Sequence, residues 1–264
     1  MPEIARADRV IHYTCAGFGP GVLLVPGIGS GARLFGTLPR RFARDGFTCA
    51  AINPVGLPPS SPQLSKPYDL DAAAKDVLAV AAQLPPPVSL VGTSLGGKVA
   101  LLAAAQGGAA IATLVMLCST ALQTERSRRV HRMFLQLSAT ADPNILGECL
   151  APFLFGASFH AARPMVVNSL IRAMQPTQET RQLMHAQALA MASFDGTMAA
   201  RGCAVRTLCL AGAEDTLTLP DEVVATAALL PQARYKILER AGHSLLLESP
   251  QAYKEIVDFL RCNQ

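Results

Sequence analysis

Tryptophan is absent from this chain, tyrosine occurs four times, and charged residues make up only 16% of its 264 positions. A nucleic-acid surface concentrates basic residues on one element with aromatic platforms beside them. Here the net charge is +4 and mostly dispersed, so no nucleic-acid partner is expected. No apolar run approaches the ~18 residues that a membrane span requires, so no membrane span is expected either. The first ten residues mix Glu3, Arg6, Asp8 and Arg9, and no apolar stretch follows them, which is not the pattern of a secretory signal. No C-x-x-C pair and no close His/Cys pairing occurs, which excludes the usual zinc sites. The seven cysteines are odd in number and irregularly spaced, and Cys49, Cys118 and Cys209 fall inside apolar runs where a free thiol acts as a small hydrophobe. A reducing, cytoplasmic compartment is expected, with no metal and no organic cofactor.

Half of the residues are apolar, enough for one large core. Short apolar runs alternate with helical patterns, the signature of a mostly parallel sheet with crossover helices. Strands are predicted at residues 21–25, 47–52, 88–91, 112–117, 205–210 and 234–238, with one or two antiparallel strands before Gly21. Helices are predicted at 69–84, 95–105 and 251–260. Residues 121–198 break this rhythm: they hold no clear strand, are rich in Met, Leu, Phe and Gln, and are punctuated by Pro143, Pro152, Pro164 and Pro176. They read as a helical cap inserted into a core formed by residues 1–120 and 199–264. The fold class is therefore α/β: a mostly parallel central sheet flanked by helices, with an inserted helical cap.

The most informative segment is Ser89-Leu90-Val91-Gly92-Thr93-Ser94-Leu95-Gly96-Gly97. It carries G-x-S-x-G between an apolar strand and a helix. In that context the serine sits on a sharp turn, its hydroxyl exposed at the sheet edge beside a helix N-terminus. A serine hydroxyl is a weak nucleophile and needs a base, usually histidine. Of His12, His131, His160, His185 and His243, only His243 follows the last predicted strand and precedes the closing helix. Its imidazole needs a carboxylate to hold one tautomer. Glu214 and Asp215 both follow the strand at 205–210; Asp215 is the expected partner and Glu214 is expected to point elsewhere. The order Ser94, Asp215, His243 is that of a strand-turn-helix serine hydrolase. Two backbone N–H groups should stabilise the oxyanion: Leu95, which follows the serine, and Ile28 in Pro26-Gly27-Ile28-Gly29-Ser30-Gly31. That glycine-rich loop lacks the spacing of a phosphate-binding motif.

These segments, together with Gly242-His243-Ser244-Leu245-Leu246-Leu247-Glu248-Ser249-Pro250, resemble the α/β-hydrolase superfamily, in particular its cap-bearing esterase, lactonase and C–C hydrolase branch. The likeness runs from about Gly21 to Leu260 and is weakest in the middle third. The chain departs from the family pattern at Pro26-Gly27, where His-Gly is common. It departs again at Asn53-Pro54-Val55-Gly56-Leu57-Pro58-Pro59-Ser60, where an Asp and an Arg-Gly-x-Gly-x-Ser loop are common. The resemblance implies a serine hydrolase that cleaves a carboxylic ester or thioester through an acyl-enzyme. A C–C bond hydrolase with the same triad and a non-catalytic ligand-binding member of the fold remain alternatives. Within the cap, Phe153, Phe155, Met165 and Met191 are candidates to line a hydrophobic acyl site, or equally to form the cap's own core. Arg126, Arg128, Arg129 and Arg132 make a local cationic run. It is either a solvated helix face or a dock for acyl carrier protein or coenzyme A.

Overall fold

The computed structural model describes residues 1–6, 9–61, 67–139, 142–174 and 176–262, with the backbone alone at 143 and 144. Its centre is an eight-stranded sheet in the order β1-β2-β4-β3-β5-β6-β7-β8. β1 (Glu3–Arg6) and β2 (Arg9–Ala16) are the antiparallel strands expected before Gly21. The others run parallel: β3 (Gly21–Val25), β4 (Thr48–Ile52), β5 (Val88–Thr93), β6 (Ile111–Leu117), β7 (Arg206–Gly212) and β8 (Ala233–Leu238). Strands covered on both faces need unbroken apolar runs. β3 (GVLLV) and β4 (TCAAI) supply them and are buried at every position. The architecture is that of the α/β-hydrolase fold.

Two helical layers cover the sheet. On one face α1 (Leu38–Arg44) and α12 (Pro250–Arg261), which follows the short α11 (Leu245–Glu248), bring Phe42, Tyr253, Ile256 and Phe259 against Val22, Leu24, Val91 and Val115. On the other, α2 (Leu70–Ala81), α3 (Leu95–Gly107) and α10 (Pro220–Leu229) pack on Leu23, Leu90, Leu114 and Cys209. Asp69 accepts the Asp71 N–H at 3.0 Å and caps α2. The helix expected at 69–84 therefore begins one residue later, and it ends at Ala81. α1 and α10 have no clear sequence signal, because one is only about two basic turns long and the other is mostly small residues.

Between β6 and β7 the chain forms α4 (Glu125–Ser138), α5 (Pro143–Leu154), α6 (Ala157–Ala162), α7 (Pro164–Ala173) and α8 (Gln178–Ala192), then the short α9 (Thr197–Gly202). Thr124 and Thr177 cap α4 and α8 by accepting the N–H groups of Ser127 and Thr180 at 3.0 and 3.3 Å. Phe134, Leu146, Leu150, Met184 and Ala188 form a cluster that also holds Leu217 and touches Ile28. The inserted helices thus lean on the loops after β3 and β7. Among the described residues no helix is long and apolar enough to cross a membrane.

Candidate active site

Parallel register brings the C-terminal ends of the central strands to one edge. Val25 pairs with Gly92, Thr93 with Leu117, and Gly212 with Leu238. Ser94 follows β5 directly and precedes α3, with φ 54° and ψ −120°. Such a backbone is strained for a residue with a Cβ. It is held by the Ser94 N–H donating to Leu117 O and the Gly97 N–H donating to Ser94 O, both at 2.9 Å. The glycines flanking the turn are dictated by contact. A Cβ on Gly92 would lie 2.3 Å from Gly96 O, and one on Gly96 would lie 2.1 Å from Val25 O. The turn leaves Ser94 half-buried and the Leu95 N–H at the first position of α3, where no intrahelical acceptor exists.

Asp215 and His243 come from the loops after β7 and β8. His243 Nδ1 lies 2.8 Å from Asp215 Oδ2, and both side chains are almost fully buried. The other carboxylate oxygen, Oδ1, accepts the Leu217 and Thr218 N–H groups at 2.8 and 2.9 Å. Both oxygens are therefore occupied and the carboxylate has a fixed orientation. Glu214 turns away: it accepts from the backbone and hydroxyl of Ser158 at the start of α6. Cys118 has its sulfur in the same cluster, within 4.8 Å of the Asp215 and His243 ligand atoms. Burial, reinforced by the Asp215 charge, pushes its thiol well above the ordinary cysteine range. A metal ligand would have to be the thiolate, which this environment opposes.

Glu248 was not singled out by the sequence reading, yet it organises the histidine loop. Its Oε2 accepts the N–H groups of Gly156 and Gly242 at 2.9 and 2.8 Å, and its Oε1 accepts that of Ser244 at 3.0 Å. The residues on either side of His243 are thus tied to one carboxylate. Burial raises its pKa, against the pull of the three N–H groups. Only its spacing of five residues after the histidine, on the same loop and helix start, could have pointed to it.

The loop after β3 passes close to Ser94, since a Cβ on Gly27 would be 3.5 Å from Ser94 Cβ. The Gly29 N–H donates to Gln187 Oε1 of α8 at 2.7 Å, the Ser30 N–H to Gly27 O at 3.3 Å and the Ala32 N–H to Asn53 Oδ1 at 2.9 Å. None of these bonds uses the Ile28 N–H. Asn53, where the family pattern often has Asp, thereby fastens the far end of this loop. Gln187 is buried and fastens its middle from the inserted helices.

Two cavities border the elbow. One, about 30 Å³, lies beside Ser94 and is walled by Lys98, Ser119, Thr120, His131, Met191 and Glu222 among others. The other, about 390 Å³, lies past Leu95 and is lined by Pro26, Asn53, Tyr68, Asp76 and Gln187 among others. Of the four apolar residues expected at an acyl site, Met191 alone lines either cavity. Phe155 is instead packed inside the insertion with Ala151 and Val167, its ring 5.7 Å from that of Phe159. Phe153 packs at the edge of the Phe134 cluster, and Met165 is 71% exposed. Their chemistry matched an acyl site, but their helix faces point elsewhere.

The arginine run also divides. Arg126 turns inward and donates to the carbonyls of Thr216 and Leu217 on the Asp215 loop. Arg128, Arg129 and Arg132 stay exposed around Glu125, with nitrogen–oxygen distances of 3.7, 3.5 and 3.1 Å.

Known proteins share this architecture. An esterase from Thermogutta terrifontis superposes with a TM-score of 0.84 at 24% identity, covering 99% of this chain and 98% of its own. The enol-lactonase from Burkholderia xenovorans gives a TM-score of 0.86 at 22% identity, covering 98% of this chain and 100% of its own. Polyketide synthase ThaQ of Burkholderia thailandensis is 28% identical over 265 residues and 97% of this chain, which spans 12% of that much longer protein. The model of the Alpha/beta hydrolase family matches residues 22–256. The chain belongs to the alpha/beta hydrolase family.

Proposed function

We propose that this protein is a serine hydrolase that cleaves a carboxylic ester or thioester of a hydrophobic acyl group. Ser94 attacks the carbonyl carbon while His243 Nε2 takes its proton. Asp215 holds the imidazole with its proton on Nδ1 and balances the charge that develops. The Leu95 and Ile28 N–H groups face the oxyanion. Collapse of the tetrahedral intermediate leaves the acyl group on Ser94 and expels the alcohol or thiol with a proton from His243. A water molecule deprotonated by His243 then releases the acid. The observation that carries this reading is the 2.8 Å His243–Asp215 contact set at the same sheet edge as a serine with φ 54°. The likeness to a segment of a polyketide synthase favours an acyl chain as the group transferred.

Intact-protein mass after exposure to a fluorophosphonate tests it. Wild type should gain one adduct and Ser94→Ala none. Folded wild type without an adduct would refute an activated Ser94 and favour the ligand-binding alternative.

If the acyl group arrives on acyl carrier protein or coenzyme A, the exposed guanidinium groups of Arg128, Arg129 and Arg132 are the docking charges, since Arg126 is committed to the Asp215 loop. Attraction between exposed charges is screened by salt. KM for the carrier-bound substrate should then rise several-fold between low and moderate salt, with KM for a short uncharged thioester flat. Equal salt responses would rule out the dock.

A further inference from the structure

We infer that the small chamber beside Ser94 is a hydroxyl-recognition subsite, selecting acyl groups with a hydroxyl one or two carbons from the scissile carbonyl. This rests on the reading of Ser94 as the acyl-accepting nucleophile. The chamber, about 30 Å³ in volume, has room for at least one hydroxyl-sized group.

Its walls are unusual in what they leave unpaired. Among the described residues, Ser119 Oγ and His131 Nδ1 are buried side-chain atoms with no hydrogen-bond partner, in residues only 1% and 7% exposed. Native interiors leave few such atoms, and each points to something that satisfies it. Neither is incidental to the fold of the site. Ser119 lies directly over the elbow, so close that a Cβ on Gly97 would come within 2.5 Å of its Oγ. His131 reaches in from α4.

Burial and the nearby Lys98 charge lower the ring's pKa to about 4, so the imidazole is neutral near pH 7 and its Nδ1 either gives or accepts one hydrogen bond. Lys98 Nζ donates to Thr120 O and retains further protons on the ammonium group. The complementary ligand must pair with both His131 Nδ1 and Ser119 Oγ, each of which can give or accept a hydrogen bond. A hydroxyl both gives and accepts, so it suits either arrangement. A keto oxygen only accepts, and a methylene does neither.

The test compares kcat/KM of the wild-type enzyme for N-acetylcysteamine thioesters of hexanoate, 2-hydroxyhexanoate, 3-hydroxyhexanoate and 3-oxohexanoate. A site built to hydrogen-bond a hydroxyl discriminates strongly against analogues that lack it. One of the two hydroxyacyl thioesters should exceed the hexanoyl compound by about tenfold or more. In Ser119→Ala and in His131→Leu that ratio should fall toward one. Equal values across all four substrates would mean that the chamber holds only water, and would overturn the inference. The wild-type comparison needs no variant to fold. Protection of Ser94 from fluorophosphonate by 3-hydroxyhexanamide, 2-hydroxyhexanamide and hexanamide repeats the comparison without turnover. Equal protection would again overturn the subsite. Absence of any fluorophosphonate adduct would instead remove the nucleophile reading beneath it.

Discussion

Replacing Glu248 separates the geometry of the histidine loop from its chemistry. In Glu248→Ala three backbone N–H groups lose their acceptor. Ser244 N–H retains Leu154 O at 2.9 Å, so Gly156 and Gly242 are the two left unpaired. An unsatisfied buried N–H costs about 1–3 kcal/mol, or about 2–6 kcal/mol for two. Part of this is returned, because the carboxylate no longer has to be held in a site that raises its pKa. A net loss of about 3 kcal/mol is expected. Glu248→Gln behaves differently. Its carbonyl oxygen can replace Oε2 and keep both the Gly156 and Gly242 bonds. Its amide NH₂ then faces Ser244, the one N–H with a second acceptor. That variant should cost about 1 kcal/mol. Urea unfolding reads the stability, and the fluorophosphonate labelling rate reads the placement of His243 against Ser94. Misplacing a catalytic group by about 1 Å costs on the order of 100-fold. Ala should therefore slow labelling by more than about tenfold, and Gln should label close to wild type. An Ala variant as stable and as quickly labelled as wild type would refute the role given to Glu248. Equal damage in Ala and Gln would show that charge, not acceptor placement, is what matters there.

Two further outcomes follow from the site. In Asp215→Asn the oxygen that accepts from Leu217 and Thr218 survives, but an amide NH₂ faces His243 Nδ1 and favours the wrong tautomer. Labelling should slow by about 10³–10⁴-fold with little change in the unfolding midpoint; a rate near wild type would exclude Asp215 as the orienting acid. His131 titrates at about 4 in the fold against 6.5 when free, because burial comes first and the Lys98 charge second in opposing its protonation. Between those values the unfolded chain binds a proton that the folded one refuses, so stability falls as pH drops from 6.5 to 4. The loss is about 3 kcal/mol from this residue. His131→Leu should flatten that part of the acid limb by a similar amount, and parallel pH–stability curves would contradict it.

Much of this protein is determined by its sequence through short-range rules. Unbroken apolar runs mark strands buried on both faces, and the glycines around Ser94 mark a turn in which any Cβ would strike backbone. Asp215 and His243 are legible because parallel strands all end at one edge, so residues just after β7 and β8 must face Ser94's side of the sheet. What only the tertiary structure decided is which side chains meet across long separations. Gln187 on Gly29, Glu248 on Gly156 and Arg126 on the Asp215 loop join segments that no local period connects. The same holds for Phe155 and Met165, apolar residues on inserted helices whose rotation about their own axes sent one into the insertion's core and the other to the surface. Periodicity determines that a helix has an apolar face; packing against the rest of the chain determines what that face meets.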